Sequence, residues 1–202
     1  SFSRAMRPAR REINWRGTPG RVNRKRGSGT SRSKHREVGR ARFYTCGQAE
    51  PMSASDLHLI VLAGGDSTRI KTGGPKALLD ISGRPMLDWV LSVAAASATG
   101  KSVLVLGPTH REQIESWLEK SAYADWEVVI QPEPKGTGDA VRCALAALPE
   151  EGRVLILCGD TPLLQAETLA LLGEQENGAL LSAEVVDPDG YGRILRDEEG
   201  NM

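Results

Sequence analysis

An α/β fold with a mostly parallel sheet wrapped by helices is predicted by three features of this sequence. From Leu57 onward, short aliphatic runs alternate with helical patterns. The runs are nearly unbroken, as in strands whose two faces are both covered. Polar, glycine-rich segments follow the strands, which is where ligands sit in such folds.

The elements follow in order. LHLIVLA (57–63) is a buried strand ending at a glycine pair. PMLDWVLSVAAASA (85–98) predicts a helix with Pro85 in its first turn, where the missing N–H costs nothing. SVLVLG (102–107) is the second strand. THREQIESWLEK (109–120) predicts a helix opened by a capping box between Thr109 and Glu112 that buries Ile114, Trp117 and Leu118. WEVVIQ (126–131) is the third strand, and GDAVRCALAAL (138–148) the helix after it. RVLILC (153–158), all aliphatic in its centre, predicts a fourth strand covered on both faces. A helix near 165–173, a strand near 179–186 and a turn at DPDG (187–190) close the pattern.

A length of 202 residues accommodates one domain with a substantial core. The formal net charge of zero conceals two unlike segments. Residues 1–51 carry 14 Lys/Arg against 3 Asp/Glu, whereas residues 52–202 carry 12 against 23. The first segment is poor in aliphatic residues and rich in Arg, Gly and Ser, so burial cannot offset the entropy of ordering it, and disorder is expected. Three roles stay open: a basic arm for nucleic acid, a transit-like leader, or upstream sequence outside the working protein. Met52, before the first strand, has the setting of a natural start, which favours the last and places the folded domain at 52–202.

No apolar run approaches the ~18 residues of a membrane span. A cytoplasmic protein without a membrane partner is expected. Cys46, Cys143 and Cys158 have neither the spacing of a zinc site nor the even number of a disulfide framework. His58 lies inside a strand pattern and reads as structural.

Four segments carry candidate chemistry. LAGGDSTRIKTGGPKALL (62–79) fits neither common phosphate-loop pattern, yet Gly64–Gly65 offers close backbone approach, and Arg69 and Lys76 offer two cations. QPEPKGTGDAV (131–141) presents the Gln131 amide and the backbone of Gly136–Thr137 before a helix. In LCGDTPLL (157–164), Asp160 suits either Mg²⁺ or a turn before Thr161-Pro162. DPDGYGRILRD (187–197) reads as a hairpin-like turn.

In this order the four segments resemble the nucleotidyltransferases that make nucleotide sugars. The resemblance is strongest to the uridylyltransferase domain of bifunctional N-acetylglucosamine-1-phosphate uridylyltransferase/glucosamine-1-phosphate acetyltransferases. It runs from about Leu57 to the end of the chain and implies a Rossmann-like, three-layer fold. It also implies formation of UDP-N-acetylglucosamine and pyrophosphate from UTP and N-acetylglucosamine 1-phosphate, for cell-envelope precursors, with Mg²⁺ as cofactor. By this resemblance Leu62, Ala63, Gly64 and Gly65 line the nucleotide, with Gln131, Gly136 and Thr137 on the uridine. Arg69 and Lys76 sit by the triphosphate as catalytic cations, Asp160 binds the metal, and Gly192 approaches the sugar.

The sequence departs from the family at Ser67, where Gly is frequent, at Pro134, where Gln is common, and at Cys158, where Tyr is frequent. The family's downstream sugar-binding residues and second metal ligand have no counterpart before Met202. The resemblance therefore implies the amino-terminal part of a longer, homo-oligomeric gene product. Two rivals remain: a thymidylyl-, guanylyl- or cofactor-type transferase, and a nucleotide-binding module without catalysis. Nucleic acid is not an expected partner of the folded segment, and residues 1–51 are the one hint of it.

Overall fold

The computed structural model describes residues 12–13, 41–45, 57–65, 73–175, 178–183, 185–187 and 189–195. In chain order the strands are β1 (Glu12–Ile13), β2 (Ala41–Thr45), β3 (Leu57–Leu62), β4 (Asp80–Ile81), β5 (Arg84–Pro85), β6 (Ser102–Leu106), β7 (Glu127–Ile130), β8 (Arg153–Cys158) and β9 (Ala179–Ala183). The helices are α1 (Met86–Ala95), α2 (Arg111–Leu118), α3 (Thr137–Leu145) and α4 (Ala166–Gly173), with a single 3₁₀ turn at Lys76–Leu78. Two units result, one spanning Pro51–Glu174 and the other combining Ser1–Glu50 with Gln175–Met202.

The Pro51–Glu174 unit is built on a four-stranded parallel sheet in the order β7-β6-β3-β8. Side chains alternate along β3. Leu59 and Val61 join Leu104, Leu106, Leu155 and Leu157 on one face, where α1, α2 and α4 contribute Leu87, Leu91, Ile114, Leu118 and Leu169. Ile60, Val103 and Val105 point the other way, onto Ala140 and Ala144 of α3. Small residues at those two α3 positions let the helix lie close on the sheet. The result is the expected three-layer α/β arrangement.

Several local expectations are corrected. The fourth strand is not covered on both faces, because Val154 and Ile156 are 38% and 47% exposed while Leu155 and Leu157 are buried. An unbroken aliphatic run does not reveal which face has a neighbour, and α3 covers Ile60 and Val105 but stops short of this edge strand. The capping box is not formed. α2 begins at Arg111 behind His110, one residue later than the box requires, and no side chain caps it. Trp117 is only half-buried. α1 starts at Met86, so Pro85 is its N-cap residue and pairs in β5. The β4–β5 hairpin is an addition to the expected elements. Its turn uses left-handed backbone at Ser82 (φ 56°) and Gly83 (φ 85°), the pairing that matches strand twist.

His58 is structural, as expected. It is 3% exposed, its Nδ1 accepts from the Lys101 amide at 2.8 Å, and its Nε2 lies 3.2 Å from the Glu151 carbonyl. Those partners select the tautomer that carries its proton on Nε2.

In the second unit β2 lies between β1 and β9, antiparallel to both, with Ala41 opposite Ala183 and Thr45 opposite Ala179. ARFYT thus forms a strand within the segment for which composition predicts disorder, and its Phe-Tyr-Thr run has high strand propensity. Apart from β1 and β2, residues 1–51 lie outside the described residues. The turn at 187–190 is present: the Asp187 carboxylate accepts from the Asp189 amide at 3.2 Å, and Gly190 has φ 80°. Among the described residues, no helix is long and apolar enough to cross a membrane.

Candidate active site

The chain leaves β3 for β6 and then β7 on one side, and later returns to β8 on the other side of β3. The order therefore reverses between β3 and β8. A crevice opens at such a switch point, outside the carboxyl ends of the strands. The segments after β3 and β8 both end there.

Backbone is packed unusually closely at this edge. A Cβ on Gly64 would lie 2.8 Å from the Gly107 nitrogen, and one on Gly107 would lie 2.5 Å from the Gly64 carbonyl oxygen. Each position requires glycine because the loops after β3 and β6 touch through main chain. Gly159 closes the other side: its amide donates to the Leu62 carbonyl at 2.8 Å, and a Cβ there would meet that oxygen at 3.1 Å. Leu62 is thus the last residue of the ladder, and Ala63 still donates to the Val105 carbonyl at 2.8 Å. Gly64 stays packed on Gly107, and Gly65 is the first exposed residue beyond it.

Lys76 is delivered to the same edge by the 3₁₀ turn, which buried Pro75 and Ala77 anchor. Its Nζ donates to Asp160 Oδ2 at 2.8 Å, joining residues 84 apart in sequence. Both side chains remain partly in solvent, 35% and 50% exposed. Asp160 is therefore not a capping residue; Thr161 instead turns its own hydroxyl to the Cys158 carbonyl at 2.7 Å. A small cleft beside the pair is lined by Gly64, Gly65, Lys76, Gly107, His110 and Ile114. The Cys158 thiol is pushed above its ordinary range by partial desolvation and by the Asp160 carboxylate, which disfavours the thiolate.

Gln131, Gly136 and Thr137 gather at the far edge of the sheet, after β7. Gln131 is 6% exposed, and its Nε2 donates to the Gly136 carbonyl at 3.1 Å and to Asp139 Oδ2 at 2.9 Å. Its amide nitrogen is thus committed to closing its own loop. Gly136 enters α3 with φ 99°, a backbone state that disfavours any side chain. The Asp139 carboxyl is held below its usual value by the Gln131 amide and then by Arg142, which donates to Oδ1 at 2.5 Å. From β7 to β8 is three strand spacings, about 14 Å at ~4.8 Å each, an extent that suits an elongated ligand laid across the edge.

Arg69 and Ser67 lie outside the described residues. Gly192 belongs to the Gln175–Met202 part of the second unit, where it is exposed. The structure adds Gly107 and His110 to the cleft lining. The segment after the second strand, GPTH, carries no glycine pair or cation, and its one signal is a glycine directly ending a strand.

Metal chemistry is limited by the donor set. Among the described residues no group of three or more His, Cys, Asp or Glu could form a cage. Among the described residues, a single half-exposed carboxylate suits a divalent cation of the kind that keeps its waters and takes one or two carboxylates plus substrate phosphates. It does not fit a structural zinc ion.

The chain is similar to proteins already known. The profile of the MobA-like NTP transferase domain matches residues 59–191. A protein named bifunctional protein GlmU from Sorangium cellulosum is 44% identical over 156 residues, 72% of this chain and 33% of that protein. Its namesakes from Pelobacter propionicus and Mycobacterium avium are 45% and 39% identical over 150 and 165 residues. The chain spans about a third of the length of these curated relatives. The crystal structure of Rv0371c from Mycobacterium tuberculosis H37Rv aligns at a TM-score of 0.50 and 27% identity, over 61% of each chain. With that match running over more than half of the chain, the chain belongs to the MobA-like NTP transferase family.

Proposed function

We propose that this nucleotidyltransferase acts on UTP and N-acetylglucosamine 1-phosphate, forming UDP-N-acetylglucosamine and pyrophosphate. The observation that carries the reading is the Lys76–Asp160 pair, which sets a cation and a carboxylate together at the mouth of the crevice. The 39–45% identity to proteins named GlmU supports the choice of nucleotide and sugar.

The reaction needs little from side chains in the way of proton chemistry. An oxygen of the sugar phosphate attacks the α-phosphorus of the nucleotide, a new P–O bond forms, and the α–β bridge breaks to release pyrophosphate. A phosphate monoester dianion is already a nucleophile, which agrees with a site that offers no activated Ser, Cys or His among the described residues. Catalysis rests on alignment and on neutralising charge that builds on the phosphoryl oxygens. Lys76 supplies a compact positive charge at the edge of β3, and Arg69 is assigned beside it by motif. The amides of Gly64 and Gly65 approach the nucleotide without side chains between. Asp160 would hold a Mg²⁺ ion, whose chemistry when bound is to neutralise phosphate oxygens as a Lewis acid. Gln131, Gly136 and Thr137 form the rigid rest for the uridine, and Gly192 is assigned to the sugar.

Pyrophosphate release measured with each of UTP, dTTP, GTP, CTP and ATP, with and without N-acetylglucosamine 1-phosphate, tests the reading. UTP should dominate and the sugar phosphate should be required. Preference for dTTP or GTP would move the chain to another branch of the family. Nucleotide binding with no release from any of them would make it a binding module.

A further inference from the structure

We propose that Lys76 is the resting counter-ion of Asp160, and that a divalent cation and a nucleotide consequently bind this edge cooperatively. The proposal rests on the nucleotidyl-transfer reading of the site and goes beyond it by stating how the site is kept before substrate arrives.

Lys76 Nζ sits 2.8 Å from Asp160 Oδ2, so the ammonium already neutralises the carboxylate a metal would use. Among the described residues neither side chain makes a second ion pair. A dication on Asp160 in the absence of nucleotide would have either to displace the ammonium or to share the carboxylate with it, and in both cases would face its charge a few ångströms away. Phosphate oxygens in the cleft, which Lys76 itself lines, change that balance. They draw Lys76 off Asp160, free the carboxylate for the metal, and add ligands of their own. In the reverse direction, a nucleotide arriving without metal would meet an uncompensated Asp160 as soon as Lys76 turned to it. Each ligand relieves a cost for the other, and such coupling is reciprocal.

The exposure of the pair makes the exchange accessible, since a half-solvated ion pair is weak and its long lysine arm is flexible. The 3₁₀ turn is fixed by the Leu78 amide donating to the Pro75 carbonyl at 2.9 Å and Leu79 to the Lys76 carbonyl at 3.1 Å. The exchange therefore needs no more than a rotation of the lysine side chain. A lone carboxylate with a removable lysine gains its metal with the substrate. A cage of acids would hold its metal permanently.

The test is direct Mn²⁺ binding to the purified chain without nucleotide, followed by the free-ion paramagnetic resonance signal. Lys76→Met should tighten Mn²⁺ binding about fivefold or more, because a competing and repelling charge is gone. Lys76→Arg, which keeps a cation able to pair, should bind as weakly as wild type. In the double variant Lys76→Met/Asp160→Asn the gain should vanish. Circular dichroism of each variant confirms the fold. A Lys76→Met affinity within twofold of wild type, or a gain that survives in the double variant, overturns the proposal. Pyrophosphate release by wild type is measured separately, so loss of this inference and loss of the transfer reading have different signatures.

Discussion

The two ends of the sheet's carboxyl edge solve the same problem in opposite ways. After β7, the loop is closed on itself: one Gln131 amide nitrogen ties both Gly136 and Asp139, and Arg142 takes the remaining carboxylate oxygen. After β3 and β8, the corresponding contact is one exposed ion pair, Lys76 to Asp160. The first end is shaped before any ligand arrives. The second is charged and exchangeable. On the proposed reading the first end is a rigid rest for a base and ribose and the second a loose charge clamp for phosphates, a division of labour that suits nucleotidyl transfer.

The contrast breaks most severely where backbone meets backbone. Gly107→Ala should destabilise the chain by ~3 kcal/mol or more, since its Cβ would sit within contact of fixed main chain and nothing flexible can yield. Thermal melting checks it. Gly65→Ala, which meets nothing within 4 Å, is the control and should melt close to wild type. At the exchangeable end, Asp160→Asn should reduce turnover about 100-fold with the fold intact, and it should flatten the Mg²⁺ titration of activity. An unchanged titration would remove Asp160 from the metal site.

At the rigid end, Gln131→Ala removes both loop ties and should cost about 1–2 kcal/mol of stability. Amide exchange should quicken across residues 132–139, and the KM for nucleotide should rise more than kcat falls. The smallest effect is on acid stability. Because the folded Asp139 carboxyl titrates below its unfolded value of about 3.9, its contribution is present above that pH and lost as pH falls through the lower folded value. Melting temperatures between pH 5 and pH 2 should therefore fall more steeply for wild type than for Asp139→Asn.

The strands of this edge are legible in sequence because an aliphatic run that ends at glycine is too short for a helix and too apolar for a loop. RVLILC coincides with β8 to the residue. Its environment is not legible, since Val154 and Ile156 look the same in sequence whether or not a helix covers them. The β4–β5 hairpin is invisible because strands of two residues have no period to detect. The candidate residues are legible as types and not as pairings. Lys76 and Asp160 are 84 positions apart, and only the return of β8 beside β3 unites them. Gln131 illustrates the opposite case: its amide reads as a ligand contact in sequence, whereas the fold first uses it as a strut. His110 and Gly107 escape a sequence reading because one glycine and one histidine after a strand carry no motif.

On the proposed function, Lys76 at the switch point supports transfer of a nucleotidyl group to a sugar phosphate. It is tested most directly by pyrophosphate release from UTP and N-acetylglucosamine 1-phosphate, comparing wild type with folded Lys76→Ala. Wild type should turn over, and the variant should lose about 100-fold or more in kcat. A Lys76→Ala chain that turns over within a few-fold of wild type would contradict the claim.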